Sequence, residues 1–556
     1  MGHIHVAARD AKSMARAIVP VSRRTSQLLA HVGFFFAVTS EVRSAPVRGS
    51  PKIARFLRSI NLTMNNYLIG IGGTGAKCIE AVIQMSAAGL FGRKSCKTIL
   101  VDLDSANGSL GRCLTTLQHY LNCRSINLGG IDAFSTDLSP YEQRVWNPLP
   151  EAATRSLGAF YSYDDPNERN QDSARLMEAL YAPEHIKLPL NEGFRGVTSV
   201  GAAIMAGTVD LNLEEPWSDL FENLQHDAAN SGGANVLLVG SIFGGTGAAG
   251  IPTIGRLIAN HLRQADIRNV RLGAILILPY FSFSSVEGEA IQADSGKFLP
   301  SAQAALDYYN DRTYLDVFDG GVYLMGEDSI AKVTVASVGG RDQQNDPHPI
   351  ELYAALAALD FFDNPEDTRH CMLVARGKPN LIAWPDLPMP PHLNIRGKIG
   401  QFVRFCYVYL SHCQAPLMEY VNSRDTRRTA WINTFFNASS DNFQQIGKRA
   451  EHTRACCESF LVWLGAMHLQ ARTAGLQLAM ILPDGVVETE GDPPRVVLKR
   501  HLEPSFNRLL LPTSAKEGRS MGKLIDELIE TKVPDPRADR GFPQLIASLY
   551  ELCAIN

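Results

Sequence analysis

From Met64 onward, apolar and polar positions alternate between two rhythms. "NYLIGIGG" is a short apolar run that ends in glycines, and "AKCIEAVIQMSAAGL" after it has the three-to-four spacing of a helix buried on one side. "KTILVDLD" reads as a second strand. The alternation resumes with "GFRGVTSVGAAIMAG", then the strand "ANVLLVG", the helix "TIGRLIANHL" and the strand "VRLGAILILPYF", apolar on both faces. "FLPSAQAALDYYNDRTY" predicts a helix and "GGVYLMG" a further strand. "HPIELYAALAALDFF" is apolar nearly all round, as a buried central helix would be. Strands alternating with helices predict an α/β fold with a Rossmann-like, mostly parallel sheet.

Two regions break the rhythm. Residues 110–192 are less regular and read as an insertion packed on the sheet edge, partly helical at "SARLMEALYA". After the Pro-rich boundary "WPDLPMPPH", Trp384 to His392, the runs "IGQFVRFCYVYLSHC", "AEHTRACCESFLVWLGAMHL", "MGKLIDELIETKV" and "FPQLIASLYELCA" are all helical. The expected organisation is an α/β domain over 64–345, the central helix and a connecting segment over 346–394, and a mainly helical C-terminal domain over 395–556.

Composition narrows the classes. The 556 residues are 45% hydrophobic and 20% charged with a net charge of −4, values of a globular protein with room for several cores. No overall basic excess points to nucleic acid, and no apolar run has the length of a bilayer span. The ten cysteines form no C-x-x-C pair and no His pair has zinc spacing, which fits reduced thiols and a cytoplasmic setting. The first 63 residues hold ten Lys/Arg against Asp10 and Glu41, a charge of +8. This basic extension reads as a disordered arm or an over-long gene start, with a targeting segment as the alternative.

The chemistry sits in two glycine loops, each between a strand and a helix. One is Gly70-Ile71-Gly72-Gly73-Thr74-Gly75 and the other Gly244-Gly245-Thr246-Gly247. Glycine lets backbone N–H groups turn toward a phosphate, and the helix beyond adds its positive end. Thr74 and Thr246 offer hydroxyls. Neither loop is a P-loop. The first fits G-x-G-x-x-G and is followed by "VDLDSAN", whose Asp102 and Asp104 suit a ribose, so an NAD-dependent oxidoreductase stays open as a minor alternative.

The second loop, "GGTGAAG", resembles the signature loop of the tubulin and FtsZ superfamily, and its surroundings match in order. "VDLDSAN" stands where that family has an Asn-Thr-Asp motif, and "RGVTSVG" resembles its third loop. "LPYFSF" with Glu287-Gly288 is similar to its Pro-Phe-x-Phe-Glu-Gly stretch. The resemblance covers about 64–365 and is nearest to the divergent bacterial tubulin-like proteins. It implies a GTPase-type domain that binds GTP or GDP with Mg²⁺, and self-association head to tail into oligomers or filaments. GTP hydrolysis would be slow or polymerisation-dependent.

By that resemblance Gly70, Gly72, Gly73, Thr74 and Gly75 would hold phosphates from one side, and Gly244, Gly245, Thr246 and Gly247 from the other. Asp102 and Asp104 would approach the ion or third phosphate, Asp104 through water. Gly196 and Gly201 would shape the third loop, and Asn345 and Tyr353 are the candidates for the base. Acids after the central helix, Asp360, Asp363, Glu366 and Asp367, would position water on the nucleotide of the next subunit, although the family's N-x-D-x-x-D spacing is missing. Lys77, one turn into the first helix, reads as solvated or as a phosphate contact. Ala249 and Phe243 depart from the signature and would tighten the loop. The helical C-terminal part replaces the family's mixed-sheet domain. That favours, as the alternative function, a non-hydrolysing nucleotide-dependent scaffold with a protein partner on that domain.

Overall fold

The computed structural model describes residues 64–554 except 129, 150–155, 164–170, 191–192, 210–213, 284–294, 311–316, 327–330, 334–339, 342–344, 365–370, 375–393, 425–430, 438, 474–486, 492–494, 500–520 and 531–540. The first half mostly alternates strand with helix. The sheet strands and principal helices are, in order, β1 (Asn65–Ile71), α1 (Gly72–Ala87), β2 (Cys96–Val101), α2 (Gly108–Arg124), β3 (Pro140–Trp146), α3 (Thr198–Thr208), the helix Trp217–Asn230, β4 (Ala234–Ser241), α4 (Gly245–Gln264), β5 (Val270–Ile277), the helix Phe298–Tyr309, β6 (Gly321–Met325), α5 (Pro349–Asp363) and β7 (Cys371–Val374). The seven strands form one sheet in the order β3-β2-β1-β4-β5-β6-β7. Every pairing in it is parallel.

The register places Asn65 opposite Ala234 and Ile71 opposite Gly240. Successive strand residues face opposite sides, and the packing follows. A Cβ on Gly70 would meet the Ile79 side chain of α1, whereas the neighbouring Ile71 meets Gly250 of α4. Helices α1, α2 and α5 pack together against the sheet, and α4 packs with α3. Because helices cover both faces, the central strands are apolar over most of their length and β4 is buried at every position.

The stretch 110–192 differs from expectation. α2 is a regular helix of the fold, begun by Asn107, whose side chain accepts from the N–H groups of Ser109 and Leu110. β3 is a true sheet strand at the edge, where Glu142, Gln143 and Arg144 are exposed and break the apolar alternation. Only its later part, including the helix Gln171–Leu180, lies outside the sheet alternation. β7 is a four-residue strand inside the stretch expected to be a connecting segment, too short to show a pattern of its own.

The second half is mainly helical: α6 (Ile395–Val408), a π turn at Tyr409–Cys413, Gln414–Ser423, the 31-residue α7 (Phe443–Thr473), Met521–Glu530 and α8 (Phe542–Leu552). A short antiparallel pair, Val487–Glu490 with Arg495–Leu498, interrupts it. The π turn has a local cause. Pro416 has no N–H to give His412 and its ring crowds that carbonyl, so Gln414 N–H reaches back to Tyr409 O. The helices lie on the α1–α2 layer: Gln84 donates to Ser459 Oγ (3.2 Å), Lys398 to Gly89 O (3.1 Å) and Asp132 (2.6 Å), and Tyr550 OH to Ala88 O (3.3 Å). One continuous hydrophobic core runs through both halves. Among the described residues no helix is long and apolar enough to cross a membrane.

Candidate anion-binding site at the sheet switch point

Strand order reverses between β1 and β4, and in open α/β sheets the crevice at the carboxyl ends of such strands is where ligands sit. Both glycine loops open there. They touch: a Cβ on Gly72 would stand 3.3 Å from the Thr246 Cβ and 3.4 Å from the Gly247 nitrogen. Gly72 has φ +73°, which a residue with a side chain adopts only at a cost. At Gly75 a Cβ would be 2.7 Å from the Val239 carbonyl oxygen, so α1 leaves the sheet closer than any side chain permits. The third loop joins them, since the Gly196 nitrogen lies 2.9 Å from where a Gly245 Cβ would be.

The first turns of α1, α3 and α4 thus converge, and each lacks what a helix start usually has. Their N-cap residues, Ile71, Val197 and Gly244, make no side-chain cap, and none of the three carries an acid in its first turn. Elsewhere in the same sheet α2 is capped by Asn107 and α5 by a capping box between His348 and Glu351, whereas the helices Trp217–Asn230 and Phe298–Tyr309, like the three at the crevice, have no side-chain cap. An uncapped helix start leaves N–H donors and about half a positive charge facing outward. Three of them at one crevice make a cradle for an anion built from backbone.

The sequence-derived residues distribute as follows. Gly70 lies near the end of β1, Gly72, Gly73, Thr74 and Gly75 form the first turn of α1, Gly245, Thr246 and Gly247 open α4 with Gly244 just before it, and Gly196 lies in the loop before α3. Gly201 lies in the first turn of α3, where its Cβ would be 2.7 Å from that of Ala249; the alanine fills the gap between α3 and α4. Phe243 is buried against Phe281 and Phe298, at ring separations of 5.5 and 4.8 Å. Asp102 directly follows β2 and is almost wholly buried. Its Oδ1 accepts Asp104 N–H (3.1 Å), and its Oδ2 is buried without a hydrogen-bond partner. Burial pushes this carboxyl up to about 7, helped by the Asp104 charge and opposed by backbone N–H groups. Both Asp104 oxygens are taken by backbone, Ala106 N–H at 3.0 Å and Gly340 N–H at 2.6 Å. Among the described residues no group of three or more His, Cys, Asp or Glu is placed to hold a metal ion.

Asn345 is half-buried, and its carbonyl accepts from Arg112 (3.0 Å). Next to it, Asp346 accepts from Gln470 of α7 (3.0 Å). Tyr353 is fully buried in the helix packing. Asp360 and Asp363 lie at the other end of α5, about 20 Å away along a 15-residue helix. There Asp360 accepts from Tyr323 OH (2.8 Å) and Asn364 (2.7 Å), and Asp363 pairs with Lys94 (2.7 Å). Glu287, Gly288, Glu366 and Asp367 lie outside the described residues.

Lys77 corrects an expectation. It is not solvated: it is 3% exposed and ion-paired with the fully buried Glu351 of α5. A lone buried ammonium is costly, and the first turn of α5 supplies the carboxylate that makes the site tenable. Three residues at the site went unread. Asn107 stands beside Gly73, 3.2 Å from where its Cβ would be, and its position before an amphipathic run is the usual signal of a helix cap. Tyr280 and Glu351 looked like parts of a strand end and an apolar helix; only the fold brings them to Lys77.

No known protein family matches the chain, and no curated protein does either. Among solved structures, the helical model of the TubZ-Bt two-stranded filament is similar over 55% of this chain and 56% of that chain, at 12% identity and a TM-score of 0.21. A likeness at that level carries no functional weight. The site's chemistry stands on its own geometry: backbone donors and helix ends that suit a phosphate-bearing ligand, and a buried carboxyl at the end of β2.

Proposed function

We propose that the chain binds the phosphates of a nucleotide at the β1–β4 switch point, with GTP or GDP as the ligand by its sequence resemblance to the tubulin and FtsZ superfamily. One observation carries this: three uncapped helix starts, α1, α3 and α4, meet there around Gly75, Gly245 and Gly247, where backbone leaves no room for a side chain. Gly72–Gly75 and Gly244–Gly247 would give backbone N–H groups to the phosphates, and Gly196 would close the third side. Asp102, near neutrality in its titration, would meet a hydroxyl or a metal-bound water. Mg²⁺ bound with the nucleotide would offset phosphate charge; with both its oxygens engaged by backbone, Asp104 would act only through water.

Self-association head to tail is part of the same proposal. Asp360 and Asp363 are too far along α5 to serve the crevice of their own chain, which fits acids offered to a neighbouring copy. Their internal bonds to Tyr323, Asn364 and Lys94 instead favour the second reading, a nucleotide-dependent scaffold that does not hydrolyse and holds a protein partner on its C-terminal helices. The test is to denature the purified protein, identify the released nucleotide by chromatography, and sediment the native protein with GTP, GDP and ATP. Guanine nucleotide with GTP-dependent pelleting is expected. Guanine nucleotide without pelleting selects the scaffold. An adenine dinucleotide, or no nucleotide together with no binding of added GTP, rejects the proposal.

A further inference from the structure

Asn107 stands between two helix starts and treats them differently. Its Oδ1 accepts the Ser109 N–H (2.9 Å) and the Leu110 N–H (3.2 Å), which closes the start of α2. Those two bonds fix which end of the amide is oxygen, so the other end is nitrogen. Nδ2 is the atom nearest to where a Cβ on Gly73 would be, at 3.2 Å, in the uncapped first turn of α1. In a helix the Cα–Cβ bond leans toward the N-terminus, so this flank of Gly73 is on the side to which the first N–H groups of α1 point. The side chain is held there. Asn107 is 5% exposed, and its own N–H donates to Asp104 O (3.1 Å). The next N–H, of Gly108, goes to Gly340 O (3.1 Å), and the Gly340 N–H returns to Asp104 Oδ2 (2.6 Å).

A side chain that caps a helix start offers it an acceptor. The group set beside the start of α1 is instead a donor. Donors side by side gain nothing from each other, and what satisfies both is an acceptor lying between them. We propose that the Asn107 amide is a binding residue of the anion site: Nδ2–H donates to a phosphate oxygen alongside the backbone N–H groups of the first turn of α1, while Oδ1 keeps α2 capped. The inference rests on the anion-binding reading of the glycine loops and adds to it a side-chain ligand from a fourth element. The cap that orders α2 also aims the nitrogen, so the donor is set before the anion arrives and costs little to order.

Binding of inorganic tripolyphosphate and of GTP to the full chain, measured by calorimetry, tests this, with thermal melting as the control on folding. Asn107→Ser keeps a capping oxygen and removes the amide. It is expected to melt close to wild type and to bind both ligands about tenfold more weakly, the loss of one hydrogen bond to a charged group. Asn107→Asp keeps the cap but turns a donor into an anion, and is expected to bind more weakly still. Gly73→Ala in the Asn107→Ser background refills the space beside α1, and Gly73 has no left-handed backbone to forbid it; binding is expected to stay weak. Wild-type affinity in Asn107→Ser overturns the proposal, as does wild-type affinity in Asn107→Asp should Asn107→Ser not fold. Recovery of wild-type affinity in the double variant overturns it too, because the amide is then a spacer between α1 and α2 and not a ligand. If the wild-type protein binds neither ligand, it is the anion-site reading that fails.

Discussion

At the scale of single residues, close approach and burial govern the site. Gly75 is the sharpest case. A methyl there would press on the Val239 carbonyl and the Gly70 backbone, both in the sheet and neither able to yield. Gly75→Ala is expected to lower stability by about 1–3 kcal/mol, seen as a shifted urea midpoint, and to abolish nucleotide retention on purification. Asp102 gives a different signature. Its folded carboxyl titrates near 7, above the ordinary value of 3.8, so the folded state holds a proton that the unfolded state releases between about pH 4 and 7. Stability from this group is complete below pH 4 and is lost as pH rises through 7, by up to about 4 kcal/mol. Asp102→Asn removes that loss. Urea unfolding from pH 4 to 8 is expected to show the variant gaining on wild type as pH rises; parallel curves would mean that Asp102 stays ionised.

At the scale of elements, α3 and α4 work as a pair and α5 as a strut. The close contact of Gly201 with Ala249 sets how near the third loop comes to the second. Gly201→Leu is expected to wedge α3 away, lower the melting temperature by several degrees, and weaken nucleotide binding more than a surface change would. By contrast Asp363→Asn breaks a partly exposed pair with Lys94 and is expected to cost under about 1 kcal/mol. If it also abolishes nucleotide turnover and leaves binding intact, the acid is serving another copy.

The elements of the sheet were largely legible because parallel strands buried on both faces are short apolar blocks, and β1, β4, β5 and β6 read that way. β3 was not, since an edge strand with exposed Glu142, Gln143 and Arg144 has no apolar pattern to show. The two glycine loops were legible because their residue type is the signal. The Lys77–Glu351–Tyr280 cluster was not, because nothing in the spacing of three residues separated by 203 and 71 positions says that they meet. Lys77 in isolation looks like any other surface lysine.

At the scale of the molecule, the helical half is part of the same core and not an appended module. Tyr550 OH donates to Ala88 O (3.3 Å), the Cys123 thiol to His452 O (3.4 Å), and Gln470 reaches the entrance of α5. A single cooperative unfolding transition is expected by calorimetry, and a chain stopped at 394 is expected to be insoluble, because the α1–α2 layer loses its cover. The thiols offer a direct check on packing. Nine of the ten cysteines are buried and Cys371 is partly exposed, and burial pushes its thiol up to about 11 and that of Cys96 to about 12. At pH 8 a disulfide reagent is expected to label at most one thiol in the folded protein and all ten in denaturant. Rapid labelling of several would mean that the two halves come apart.

The pairing of β1 with β4 also bears on how the protein is made. Asn66 and Asn235 hydrogen-bond across 169 positions of chain. On a ribosome, β1, α1 and β2 emerge long before the strand that completes the crevice. Until Gly247 has cleared the exit tunnel, the first glycine loop has no second wall and two apolar strand edges stand open. A contact of such long range also makes folding slow, since a large loop must close before the bonds that reward it can form. The glycine crevice is therefore assembled only after the middle of the chain has been synthesised.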